Sequence, residues 1–95
     1  MNIHVILVYD VNTEDKEGCR RLVKIMKICR KYLSHVQRSV FEGNVTEGQL
    51  ALLRSEIKGI ANKQLDFVII YIMPDNKKIT RDIITDTPDP TENFI

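Results

Sequence analysis

Two segments of this 95-residue chain are apolar on both of their alternating faces, and this feature limits the possible fold more than any other. Residues 3–11 and 65–73 are rich in β-branched and aromatic side chains, which favour β-strands. Successive side chains of a strand point to opposite faces, so a run that is apolar throughout needs cover on both sides. Both segments are therefore predicted to be central strands of a sheet.

Two other segments carry apolar residues at helical spacing. Residues 14–33 are predicted to form a first helix, with Asn12 or Thr13 as its N-cap. Residues 47–61 are predicted to form a second helix, opened by a T-x-x-Q capping box that begins at Thr46.

The remaining segments complete the predicted order of strand, helix, strand, helix, strand. Residues 35–45 are strand-like, as one bulged strand or a short hairpin with a turn signal at 42–44, and residues 77–86 are a weaker strand candidate. This order predicts an α+β sandwich with both helices on one face of a small sheet. The other apolar face then needs a cover, and we expect a second copy of the chain to supply it.

Length and charge indicate one domain, over residues 1–86, followed by an acidic, proline-punctuated and flexible tail at 87–95. The formal charge is only +1, but residues 14–33 hold seven Lys or Arg and three acids, whereas residues 82–95 hold four acids and no Lys or Arg. The N-terminus lacks the basic region of a signal peptide, and the first apolar run is too short to span a membrane. We therefore expect a soluble, cytoplasmic protein.

A row of basic residues is the first feature that points to a function. Arg20, Lys24, Lys27 and Lys31 fall within about 60° of one another on a helical wheel. Such a row could bind successive phosphates of a nucleic acid, or it could be an ordinary solvated helix face.

Asp10 is the second such feature, because it ends the first apolar strand just before the first helix. Rigid strand ends commonly carry catalytic or binding groups, but an aspartate at this place could equally cap the following helix. One carboxylate is a poor metal site by itself, but Mg²⁺ accepts one or two carboxylates plus waters and substrate phosphates, so two copies of Asp10 at a two-fold axis would suffice. Phosphate-binding loops, nucleophile elbows and zinc-protease motifs do not occur in the sequence.

Four stretches together, "VYDV", "RRLVKIMK", "VQRSVFEG" and "LDFVIIYIM", resemble the CRISPR-associated protein 2 family over residues 3–84. The resemblance implies a ferredoxin-like domain that forms a homodimer through its sheet. It also implies an endonuclease acting on RNA or DNA with Mg²⁺, or Mn²⁺ as a substitute, in which Asp10 is the metal ligand. Tyr9, Ser39 and Phe41 match the family's active-site positions.

The same resemblance implies a role in CRISPR adaptation, in which the homodimer bridges copies of the CRISPR integrase and holds duplex DNA. Arg20 and Arg21 match basic residues early in the family's first helix, so they join Lys24, Lys27 and Lys31 as predicted nucleic-acid-binding residues. His35 departs from the basic residue that some members carry at its position. Two alternatives stay open, a non-catalytic scaffold and a ferredoxin-like regulatory domain that binds a small ligand.

Overall fold

The computed structural model describes residues 2–74, 79–88 and 90. Its elements follow the order βαββαβ, which is the ferredoxin-like arrangement and confirms the predicted α+β class. They are β1 (Asn2–Asp10), α1 (Lys16–Tyr32), β2 (Ser34–Gln37), β3 (Val40–Thr46), α2 (Glu47–Ile60) and β4 (Phe67–Met73).

The four strands form one antiparallel sheet in the order β2-β3-β1-β4. The prediction of two central strands is therefore right for β1 and wrong for β4, which is an edge strand among the described residues. Periodicity could not distinguish the two positions, because both strands are apolar on each face.

The core lies between the helices and one face of the sheet. Alternate residues of β1 point into it, and Val5 and Leu7 have no exposed surface. They pack with buried side chains from β3 and both helices, which are Ile25, Cys29, Phe41, Val45, Leu53 and Ile57. The predicted placement of both helices on one face is thus confirmed.

The opposite face of the sheet, called the open face here, has no helix over it in the described part of the chain. Strand register places Ile6 beside Tyr71 and Val8 beside Ile69 on this face. Tyr71 is 58% exposed, although it sits in the middle of an apolar strand. The predicted apolar face is therefore present and has no helix over it among the described residues.

The start of α1 differs from the prediction. Its N-cap is Asp15, whose carboxylate accepts a hydrogen bond from the Gly18 N–H at 2.8 Å, and not Asn12 or Thr13. The Asn12 side chain instead accepts the Glu14 N–H at 3.0 Å, which makes a turn and delays the helix. The capping box of α2 is confirmed.

Residues 35–45 form parts of a hairpin, in which Arg38 and Ser39 make the turn between β2 and β3. The turn predicted at 42–44 is wrong, because these residues lie inside β3 and Gly43 pairs with Val5. A Cβ atom on Gly43 would stand 3.3 Å from a methyl carbon of Leu33, so close packing explains this glycine.

The strand predicted at 77–86 is wrong for residues 79–86, which form no strand, while residues 77 and 78 lie outside the described part. Residues 89 and 91–95 also lie outside it, so the domain and tail boundaries stay predictions. Among the described residues, no helix has the length and apolar character needed to cross a membrane.

Candidate active site and nucleic-acid interface

Asp10 lies at the carboxyl end of β1, with Phe67 of β4 as its strand partner. Its side chain alternates with Tyr9, so it belongs to the open face, and the residue is exposed. Among the described residues, its carboxylate makes no hydrogen bond or ion pair. Because Asp15 caps α1, the interpretation of Asp10 as a helix cap is wrong, and its oxygens are free for a ligand.

Tyr9 and Phe41 lie on the other side of the sheet from Asp10. Tyr9 is 4% exposed and Phe41 is fully buried, and their ring centroids are 6.2 Å apart. The Tyr9 hydroxyl donates to the Arg38 carbonyl at 2.7 Å, and burial raises the pKa of this phenol. Both rings therefore belong to the core beneath the site, whereas Asp10 points away from it.

Ser39 is half-buried in the turn between β2 and β3, next to the end of β1. Its carbonyl accepts the Tyr9 N–H at 3.1 Å. His35 stacks flat on Phe41, with centroids 4.3 Å apart and planes 7° apart, and its Nε2 lies 3.2 Å from the Arg38 carbonyl oxygen. Among the predicted site residues, the structure thus brings Tyr9, Ser39 and Phe41 together around this turn.

Arg21 is held inside the protein by Asp66. Its Nε donates to Oδ2 of Asp66 at 2.8 Å, and the Arg21 side chain is only 15% exposed. A terminal nitrogen of Arg21 also donates to the Asn12 carbonyl at 3.3 Å. Arg21 was predicted to bind nucleic acid, but its guanidinium already has internal partners, so we remove it from the candidate interface.

Sequence reasoning missed Asp66, whose side chain has no exposed surface. Burial alone would raise its pKa, but hydrogen bonds from Arg21 and from the Asn62 and Asn12 N–H groups outweigh that effect and lower it. A signal was available, since Asp66 is a carboxylate directly beside an apolar strand, as Asp10 is. The partner that distinguishes the two carboxylates is distant in sequence.

The segment between Asp10 and α1 is held in place by these contacts. Asp66 accepts the Asn12 N–H at 3.1 Å, while Arg21 donates to the Asn12 carbonyl. Gly18 packs so closely that an added Cβ atom would stand 1.8 Å from the same carbonyl oxygen. A rigid support of this kind fixes the position of a functional carboxylate nearby.

The basic row lies on α1, in the helix layer on the other side of the sheet from Asp10. Arg20 pairs with Glu17 at 2.9 Å, and Lys31 pairs with Glu56, which also accepts the Tyr32 hydroxyl. Lys24 and Lys27 are exposed and make no side-chain hydrogen bond within the described chain. These two lysines are the most available cations of the row.

The residues that the structure describes do not by themselves assemble a complete metal site. The described residues contain no cluster of three His, Cys, Asp or Glu side chains that could hold an ion. Mg²⁺ needs only one or two carboxylates when waters and substrate phosphates fill its other positions. The exposed oxygens of Asp10 fit this requirement if a second copy of Asp10 or a nucleic-acid phosphate is added.

Comparison with known proteins identifies the family. The family model described as CRISPR associated protein Cas2 matches residues 1–81. The CRISPR-associated endoribonuclease Cas2 2 of Moorella thermoacetica is 65% identical over 91 residues, which are 96% of this chain and 100% of that relative. The Cas2 crystal structure from Streptococcus pyogenes gives a TM-score of 0.69 at 34% identity, covering 77% of this chain and 88% of that one. A further Cas2 crystal structure gives 0.70 at 34% identity, covering 93% and 94%. The chain therefore belongs to the CRISPR-associated protein Cas2 family, as the resemblance predicted.

Proposed function

We propose that this protein is a cytoplasmic, homodimeric CRISPR-associated nuclease that cleaves phosphodiester bonds of RNA or DNA with Mg²⁺ bound at Asp10. The observation that carries the proposal is an exposed carboxylate without a partner in the described chain, at the end of a rigid strand and on an apolar open face. The nuclease names of relatives such as the Moorella thermoacetica protein support it.

The homodimer is proposed to form through the open face. Ile6, Val8, Ile69 and Tyr71 give this face an apolar surface that a second copy would remove from water. Asp10 belongs to the same face, so a two-fold axis there would bring two copies of Asp10 into one interface. Two carboxylates would then be available to Mg²⁺, with waters and substrate phosphates at its other positions.

Mg²⁺, when bound, would polarise the scissile phosphate and lower the pKa of an attacking water. Asp10 supplies hard oxygen ligands, and the contacts of Asn12 with Asp66 and Arg21 fix the backbone behind it. The Tyr9 hydroxyl donates its hydrogen bond to the Arg38 carbonyl, so we do not propose Tyr9 as a general acid in the cleavage. No acidic, histidine or cysteine cluster joins Asp10 in the described chain, and we expect the proton of the water to pass to solvent.

A second candidate is a non-catalytic scaffold that holds duplex DNA and bridges copies of the CRISPR integrase. It is favoured by the position of Lys24 and Lys27, because a duplex bound along α1 lies on the other side of the sheet from Asp10 of the same protomer. In this role the phosphate contacts position the duplex and read no sequence.

Asp10→Asn separates the two candidates. The amide keeps the side-chain shape but removes the charge that holds a hard cation, so Mg²⁺-dependent cleavage of labelled single-stranded RNA and duplex DNA should be abolished. Melting temperature and dimer mass should stay unchanged, since the exposed carboxylate makes no internal contact in the described chain. Chelator-treated wild-type protein is the control. Equal cleavage by wild type and variant would reject the metal site at Asp10.

The scaffold role is tested on the same protein by replacing both Lys24 and Lys27 with Ala. Each lost phosphate contact should reduce the slope of log affinity against log salt by about 0.9 for duplex DNA. If wild-type protein does not cleave and the double variant has the reduced slope, the scaffold role is supported. If the slope is unchanged, the basic row is an ordinary solvated helix face.

A further inference from the structure

A basic side chain near Asp10 would strengthen binding of the substrate backbone, and the row on α1 is badly placed to provide one. That row lies in the helix layer, whereas Asp10 lies on the open face. A basic side chain with this role would lie at the end of the sheet where β1 stops. This inference rests on the proposed function and names a substrate-binding residue for it.

The register of the sheet places Arg38 at that position. β1 pairs with β3 up to Val8 and Val40, and the hydrogen bond from the Tyr9 N–H to the Ser39 carbonyl continues the same register. Arg38 precedes Ser39 in the turn between β2 and β3, so it lies next to the end of the β1–β3 ladder. Asp10 and Arg38 are the chain neighbours of this hydrogen-bonded pair, Tyr9 and Ser39, so both residues lie at the same end of the sheet.

The Arg38 guanidinium is available for a ligand. The residue is exposed, and within residues 2–74, 79–88 and 90 it makes no ion pair, not even with Asp10. Arg21 and Arg20 are less free, because Arg21 binds Asp66 and Arg20 binds Glu17. Arg30 and Arg54 are exposed as well, but they lie on the helices. An unpaired arginine beside an unpaired carboxylate can bind phosphate while the carboxylate holds a metal ion.

Contacts from neighbouring residues fix the backbone of Arg38 within its two-residue turn. Its carbonyl accepts the Tyr9 hydroxyl at 2.7 Å and lies 3.2 Å from Nε2 of His35. The neighbouring Ser39 carbonyl accepts the Tyr9 N–H. A residue held by its backbone alone leaves its side chain free, which is the arrangement that a binding arginine needs. The hydrogen bond to the Arg38 carbonyl also assigns a role to the buried Tyr9 hydroxyl.

We propose that Arg38 is a substrate-binding residue, whose guanidinium binds a backbone phosphate adjacent to the one attacked at Asp10. The planar guanidinium can donate two hydrogen bonds to one phosphate, which an ammonium group cannot match in geometry. Tyr9 is the positioning residue that fixes the turn. The contact reads the backbone, so it should not depend on base sequence.

The test compares cleavage of labelled single-stranded RNA by wild-type dimer and by Arg38→Gln and Arg38→Lys. Arg38→Gln should raise KM about tenfold with kcat changed less than about twofold, as expected for loss of one charged hydrogen-bonded contact. Arg38→Lys should recover part of the loss. Arg54→Gln, an exposed arginine on α2, is the matched control and should leave KM unchanged.

Tyr9→Phe tests the positioning role. This variant should also raise KM. The Tyr9→Phe, Arg38→Gln double variant should have the same KM as Arg38→Gln alone, because both changes weaken the same phosphate contact. Additive losses would reject the role of Tyr9.

Failure of this inference can be told apart from failure of the proposed nuclease. If wild-type protein does not cleave, the nuclease is rejected, and the salt slope of single-stranded RNA binding decides the role of Arg38. That slope should fall by about 0.7 in Arg38→Gln. An unchanged slope, or an unchanged KM in an active enzyme, overturns the proposal for Arg38.

Discussion

At the residue scale, two aspartates in similar sequence contexts have different surroundings in the folded protein. Asp10 lies near the end of one apolar segment, and Asp66 lies near the start of the other. Asp66 has no exposed side-chain surface and is bound by Arg21 and two backbone N–H groups. Asp10 is exposed and carries no such partner in the described chain. The Asp66 carboxylate is therefore structural, and the Asp10 carboxylate is free for function.

Asp66→Asn should lower the free energy of unfolding by about 3 kcal/mol at neutral pH, because it leaves Arg21 without its counter-charge. The pKa of Asp66 is lowered in the folded protein. Its contribution is therefore full above the unfolded value of about 4 and is lost as pH falls through the lowered folded value. Urea titrations from neutral to acidic pH should thus show the gap between wild type and variant closing.

Glu17→Gln is the control for that measurement, because it breaks the exposed Glu17–Arg20 pair. Exposed pairs contribute less than about 1 kcal/mol, so this variant should stay near wild type. A gap for Asp66→Asn that persists unchanged in acid would contradict the assigned role of its charge.

At the scale of elements, the junction between β1 and α1 depends on a glycine inside the helix. Gly18 is buried, and an added Cβ atom would stand 1.8 Å from the Asn12 carbonyl oxygen. That carbonyl is fixed by Arg21, so it cannot move away without breaking the contacts behind Asp10. The glycine has no turn to make, and close approach of backbone to backbone explains it.

Gly18→Ala should therefore destabilise the protein by about 3 kcal/mol or more, as overpacking against backbone does. Gly59→Ala in α2 is the matched control, since nothing lies within 4 Å of its added Cβ atom. Alanine is the better helix former, so this variant should gain about 0.5 to 1 kcal/mol. Thermal and urea unfolding of both variants measure the difference. Equal stabilities would contradict the close packing at Gly18.

At the scale of the whole molecule, the open face has no helix over it in the described part of the chain. The helices cover one face of the sheet, and the open face carries the half-buried Ile6, Val8 and Ile69 beside the exposed Tyr71. The open face also has a polar part around Glu42. Oε1 of Glu42 lies 3.0 Å from Nε of Arg81, and Oε2 lies 3.2 Å from Nε2 of His4. The apolar part is where a second copy is proposed to bind.

Tyr71→Lys should place a charge in that interface and convert the dimer to a monomer. Sedimentation should then give about 11.0 kDa for the variant against twice that mass, 22.0 kDa, for wild type. Leu52→Lys is the control, because Leu52 is similarly exposed at 57% but lies on α2. It should sediment as wild type. A dimeric Tyr71→Lys protein would place the interface elsewhere.

The sequence by itself determined the features that depend on neighbours along the chain. Helical periodicity, the Thr46 capping box and the two-sided apolar strands are local patterns, and all are present in the structure. The need for a cover on the open face also followed, because burial of apolar surface depends on composition and not on exact placement.

Only the tertiary structure decided which groups meet. Arg21 and Asp66 are 45 residues apart, and nothing local marks one arginine of the pair Arg20 and Arg21 as buried. The separation of Tyr9 from Asp10 by the sheet, and the position of the Arg38 turn at the end of β1, follow from strand pairing. Register and packing arise from contacts between distant elements, and so the residues that share a site could not be read from their order in the chain.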